Sequence, residues 1–320
     1  MTSPSPAAAP PQPTTGASGT GTLDRLRARW TWTAVVANLV GQIVIIGTGG
    51  AVRLTGSGLG CSTWPQCEPG QFTPQFHAAA SFHPFVEFGN RTISGVLGVI
   101  GLAVLLLVST DRSRSAGYRW LGTVPLLGVL AQAVIGGITV LVDLNPAVVG
   151  LHLLISMALV ALSAWLVART REGDGPAVPL TGRTTHALAW LLGLLSAVVV
   201  VLGVIVTGAG PHSGDEEVGY RFAVDPYQMA RVHSASVWAF VLVLVVLLVR
   251  LHVAGTGARP RHTAYVLLGV TLVQGLIGYV QLFTGLPVVL VNLHMIGAGL
   301  LIAATVWVIA AQRARTRTAG

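Results

Sequence analysis

The chain contains no lysine, and only 9% of its 320 residues are charged. Without lysine a phosphate-gripping loop of the G-x-x-x-x-G-K type is excluded. So thin a charge density also lies well outside the range of soluble globular domains. Cysteine is almost as scarce, with Cys61 and Cys67 alone. The sequence offers no C-x-x-C-H for covalent haem attachment and no H-E-x-x-H for zinc protease chemistry. No convincing serine triad stands in for these, and two further ligands at finger-like spacing are missing for a structural zinc.

What is there is apolar. Hydrophobic residues make up 52% of the chain, and mean hydropathy is +0.72. Eight stretches are long enough to cross a bilayer as helix, at about 30–50, 87–108, 119–141, 147–168, 186–207, 229–252, 261–283 and 288–311. Helix is expected because a backbone in lipid must bond within its own segment, and the alternation of a barrel strand is absent. Residues 1–22, rich in Pro, Ala, Ser, Thr and Gly, read as a disordered tail rather than a signal peptide.

Arginine gives the orientation. With eight spans both termini share a side, which receives 15 arginines, including Arg25, Arg114, Arg169, Arg259 and Arg313. Arg53, Arg91, Arg221 and Arg231 fall on the other. The positive-inside rule therefore places both termini in the cytoplasm of a cell membrane. The net charge of +8 is a topology signal with lipid contact as its second use, and nucleic-acid binding is not invoked.

Gln132 and His152 recur at the same separation as Gln274 and His294, each pair offset by 142 residues. This internal repeat implies an all-α integral membrane protein of eight transmembrane helices, arranged as two parallel-repeat four-helix bundles. The expected divisions are a tail at 1–22, an N-terminal half at 23–170 and a C-terminal half at 171–320.

The chemistry-bearing residues crowd one edge. Glu87 and Asn90 are placed at the external end of the second helix, His233 at the matching point of the sixth, and His152 and His294 one to two turns inside the fourth and eighth. Imidazoles are expensive in lipid and mark function by default. Two opposed imidazoles, His233 and His294, suit the axial positions of a haem iron. The N-terminal half breaks the match, since Asn90 stands where His233 has its counterpart. His152 is then a lone ligand, with Glu87 nearby as a proton acceptor. One pocket reacts and the other relays electrons.

Arg91, Arg231 and, more weakly, Arg53 are candidate partners for propionate carboxylates, with interfacial anchoring as the alternative. Cys61 and Cys67 read as a disulfide in the first external loop, either a structural clip or a redox-active bridge. The glycine runs RLTGSGLG and VTGAGPHSG read as sharp external turns. His212 reads as a surface residue or an entry point for electrons or protons, and His186, His252 and His262 as interfacial.

The runs GGAVRLTGSGLGCSTWPQC, VEFGNRTISG, GLHLLISMALVA, VTGAGPHSGD, RVHSASVW and NLHMIGAG together resemble bacterial haem A synthase, from Trp30 to about Val308. That resemblance implies oxidation of a porphyrin methyl of haem O to the formyl of haem A, through successive hydroxylations, for terminal oxidase biogenesis. It implies haem b held by His233 and His294, substrate haem at His152, Glu87 as the catalytic glutamate, and Cys61 and Cys67 as the external pair. The family's E-x-x-H-R is E-F-G-N-R here, so Asn90 departs from it. His77 and His83 are the loop histidines that could substitute as ligand. A haem O synthase, membrane lipid and a donor such as quinol are the candidate partners, and self-association stays open. An electron-transferring di-haem b cytochrome and a transporter are the competing classes.

Overall fold

The computed structural model describes residues 21–75, 81–212, 214–215 and 217–316. Most of the N-terminal tail and His77 lie outside these. Nine α-helices are described: α1 (Thr22–Leu54), α2 (His83–Val104), α3 (Ala116–Leu121), α4 (Val124–Leu141), α5 (Pro146–Arg171), α6 (Arg183–Ala209), α7 (Pro226–Val253), α8 (Ala258–Phe283) and α9 (Val288–Ala311). A π-helical turn, Leu105–Ser109, extends α2, and α3 with α4 makes one span. Among the described residues, eight spans are therefore long and apolar enough to cross a membrane. The protein is an all-α multi-pass membrane protein.

Helix starts fall earlier than hydropathy alone indicates. Proline stands in the first turn of α2, α4, α5 and α7, where its missing N–H costs nothing and its fixed φ suits the helix. Asn145 and Asp225 cap α5 and α7 through side-chain bonds to Ala147 N and Gln228 N. These polar residues depress the apolar average but begin the helix. Glu87 and Asn90 consequently lie one and two turns inside α2, not at its first residues.

Helices α1, α5 and α9 pack on one another at the centre, with α2 and α4 against α1 and α5, and α6, α7 and α8 following around α9. Apolar burial does not drive helices together in lipid, so close packing and polar bonds must. Gly47 and Gly50 of α1 meet Ile296 and Asn292 of α9 with no room for a Cβ. Asn38 donates to Ser163 Oγ at 2.9 Å, and Trp307 Nε1 to Ala164 O at 3.1 Å, tying α1 and α9 to α5. Helix α9 contributes Ile302 and Ala303 to a core shared with α1 and α5, and Leu301, Ala304 and Val308 to a second core shared with α6, α7 and α8.

At the loop end, the glycine runs after α1 and α6 meet: Gly58 N donates to Gly214 O at 2.7 Å. Gly56 and Gly214 take φ of +67° and +108°, which only glycine adopts freely.

At the terminal end, β1 (Ala177–Pro179) pairs antiparallel with β2 (Arg313–Arg315), joining the segment after α5 to the C-terminus. Asp174 binds this end together, accepting from Arg114 Nε at 2.6 Å, Ser115 Oγ at 2.7 Å and Arg169 NH2 at 2.9 Å. Burial pushes the Asp174 carboxyl up, but bonds from Ser115 and Arg114 outweigh it and hold the group below the usual carboxylate range. With its folded value depressed, its contribution is complete above pH ~4 and is lost as pH falls through the folded value. Asp174→Asn is expected to cost about 2 kcal/mol at neutral pH. Thermal unfolding in detergent at pH 7 checks it.

Candidate haem-binding site

Each candidate ligand sits six or seven residues inside the loop end of its helix: His152 on α5, His233 on α7, His294 on α9 and Asn90 on α2. At 1.5 Å per residue all four lie about 10 Å deep. They share one layer.

His233 and His294 face each other with ring centroids 6.4 Å apart and planes at 77°. Two imidazoles on opposite sides of one metal atom have ring centres about 6 Å apart, since each nitrogen–metal bond is about 2 Å and each ring centre lies roughly 1 Å beyond its nitrogen. His233 Nδ1 lies 3.1 Å from Val199 O. A carbonyl only accepts, so Nδ1 carries the proton and Nε2 keeps the lone pair a metal needs. Gln274 Nε2 donates to His294 O at 2.9 Å, fixing the backbone that carries the second imidazole. Glycine makes the space: a Cβ on Gly203 would stand 3.3 Å from His233 Cε1, and one on Gly278 3.2 Å from His294 Cε1. The residues present fit a haem held at both axial positions.

His152 has the same support. Gln132 Nε2 donates to His152 O at 2.9 Å, and a Cβ on Gly136 would lie 3.3 Å from its ring. Its Nδ1 is buried with no partner among the described residues. Among the described residues, however, no second imidazole is paired with it. A cavity of about 140 Å³ opens instead, lined by His152, Asn90, Gln42, Gln132 and Arg53 among others. Met295, next to His294 on α9, reaches the same cavity. Asn90 is pinned through its Oδ1, which accepts from Thr48 Oγ1 at 2.8 Å.

Glu87 does not line this cavity. It is 5% exposed, and Oε2 accepts from Cys61 N at 2.8 Å while Oε1 binds Arg91. Arg91 reaches on to Thr63 O at 3.1 Å and Gln66 O at 3.2 Å. The Glu87–Arg91 pair thereby grips the loop closed by the Cys61–Cys67 disulfide. Trp64 of that loop lies against Gly137 of α4, one residue from the glycine under His152. The loop is a cap over the N-terminal half.

Of the three arginines expected to face propionates, Arg91 is committed to Glu87 and the loop. Arg53 donates to Thr207 O and His212 O, both at 2.8 Å. Arg231 has no polar partner among the described residues. His83 Nδ1 bonds Ser57 Oγ at 2.8 Å and lies off the cavity wall. His212 is half-buried, and burial, then the Arg53 and Arg221 charges, push it below an ordinary histidine.

A family model described as cytochrome oxidase assembly protein matches residues 28–213, more than half of the chain. The chain belongs to that family. Among its relatives, "Heme A synthase" of Rhizorhabdus wittichii is 27% identical over 86% of this chain and 91% of its own. The enzyme of the same name from Staphylococcus aureus (strain bovine RF122 / ET3-1) is 26% identical over 83% and 87%. That of Methylobacterium radiotolerans is 33% identical over 58% and 57%. The cytochrome oxidase assembly match takes in Glu87, Asn90 and His152 and stops short of His233 and His294.

Sequence reasoning missed the glycines beneath the imidazoles, Thr48 behind Asn90 and the grip of Glu87 on the cysteine loop. The exact recurrence of Gln132 and Gln274 was the one signal for the carbonyl bonds.

Proposed function

We propose that this family member oxidises a methyl group of haem O to the formyl group of haem A. His233 and His294 hold a resident haem b, and His152 takes the iron of the substrate haem in the cavity under the disulfide loop. The facing of His233 and His294 across 6.4 Å, with a proton fixed on His233 Nδ1, carries this reading. Among the described residues no three His, Cys, Asp or Glu side chains gather to hold a free metal ion. A haem needs only two axial ligands from the protein.

When bound, the two haems supply the redox chemistry of methyl oxidation. The protein's part is orientation, shielding and proton movement. Gln132 and Gln274 set the helical backbone that aims His152 and His294. Asn90, held by Thr48, stands where the other half has its second imidazole and would be a weak ligand for iron. Glu87, off the cavity wall but beside the disulfide loop, is the proton acceptor of this reading. Oε1 takes two bonds from Arg91, so Oε2, which accepts from Cys61 N, is the oxygen that would take the proton. Trp64 and the disulfide loop keep bulk water from the outer side. Of the three candidate arginines, Arg231 has no polar partner among the described residues and would pair with a propionate.

Arginine distribution supports a bacterial cell membrane location with both termini cytoplasmic. A haem O synthase as supplier and a quinol as electron donor fit this placement. Haem extracted from cells that make haem O is expected to contain haem A when this protein is present, and haems B and O without haem A when it is absent. An unchanged haem O pool with folded protein present would favour the electron-transferring cytochrome instead.

A further inference from the structure

We infer that Gln42 is the subsite recognising an alcohol on the substrate haem, the hydroxyl-bearing isoprenoid substituent that distinguishes haem O from haem B. This rests on the reading of the N-terminal cavity as the substrate haem's place. Gln42 lines that cavity, is 2% exposed, and its Nε2 has no partner among the described residues. Buried amides are normally paired, so a donor left open on a cavity wall points to a ligand that completes it. A primary amide both gives and accepts, as a hydroxyl does.

Depth agrees. Gln42 lies twelve residues from the loop end of α1, and His152 six from that of α5. Gln42 is therefore about 9 Å deeper than the iron ligand. A porphyrin with its carboxylates at the loop end turns its opposite edge towards that level.

The two halves differ where their haems would differ. Gly49 stands against Asn90 as Gly203 stands against His233. Seven residues before each glycine are Gln42 and Ser196. Ser196 Oγ donates to Gly193 O of its own helix at 2.8 Å and asks nothing of a ligand. By the offsets of Asn90 to His233 and His152 to His294, Ser94 and Ser156 of the cavity correspond to Val237 and Ala298. Ser94 and Ser156 are bonded to the backbone of their own helices, as Ser196 is, so on an otherwise largely apolar wall Gln42 is the group whose counterpart in the other half, Ser196, needs no ligand. A resident haem without an alcohol requires no such partner.

The test titrates the purified protein, resident haem in place, with haem O and separately with haem B, following the added haem's absorption. The native chain is expected to bind haem O more tightly than haem B, through the isoprenoid chain as well as the hydroxyl. Gln42→Met, close in shape, and Gln42→Leu are expected to lose about tenfold in haem O affinity, the equivalent of one neutral hydrogen bond, while haem B affinity and the resident spectrum, which reports folding, are unchanged. Undiminished haem O affinity in both variants, or an equal loss for haem B, overturns the assignment. Failure of the native chain to bind either haem would remove the functional reading itself.

Discussion

His294→Ala is expected to abolish the resident haem spectrum and, with it, haem A formation. The protein should purify folded but with the resident haem reduced from about one per chain to near zero. Alanine is the best helix former, so α9 survives the change, and Gln274 still donates to the backbone carbonyl of residue 294. On the proposed function, what would disappear is one of the two imidazoles that would hold the resident haem. With no C-x-x-C-H for a thioether bond, coordination and packing alone would retain the haem, so its retention depends strongly on both imidazoles. His233→Ala is the matching control: it removes the imidazole whose Nδ1 is anchored on Val199 O. Absorbance of the purified variants between the Soret and α bands reads the result. A normal spectrum in both would assign the resident haem to other residues.

The second large effect is at Glu87, where haem A formation should fall by about 10²–10⁴, the usual worth of a positioned proton acceptor, while the resident spectrum is kept. Glu87→Ala does two things at once. It removes the acceptor and also frees Arg91 and the Cys61 N–H, loosening the disulfide loop. Glu87→Gln separates them, because a glutamine carbonyl still accepts from Cys61 N but does not take a proton. Loss of activity in both variants supports the proton role. Activity retained by Glu87→Gln and lost in Glu87→Ala would make Glu87 an anchor for the cap and nothing more. Haem O and haem A extracted from cells expressing each variant distinguish the cases.

These two residues also mark how much was legible in the sequence. Imidazoles in apolar runs are conspicuous, and a Gln–His pair repeated at a fixed interval located both His152 and His294 within their helices. Eight spans followed from hydropathy, although proline and polar residues hid the first turns of α2 and α7. The surroundings of the ligands were not legible because they are made by residues far apart in sequence. Thr48 reaches Asn90 from another helix, Val199 receives the His233 proton, and Gly203 and Gly278 owe their identity to rings packed on them. Arg91 illustrates the limit most clearly. Its position near the ligand layer suggested a propionate partner, but Glu87 one turn earlier and the carbonyls of Thr63 and Gln66 claim its donors. The strand pairing of Ala177–Pro179 with Arg313–Arg315 had no sequence signal at all, being three residues on each side.

The paired imidazoles are the centre of this account, and electron paramagnetic resonance of the oxidised, purified protein tests them directly. A low-spin ferric haem with two nitrogen axial ligands, about one per chain and absent from His233→Ala and His294→Ala, is the expected result. Folded protein that is colourless, or whose resident haem is high-spin with a single axial ligand, would contradict it.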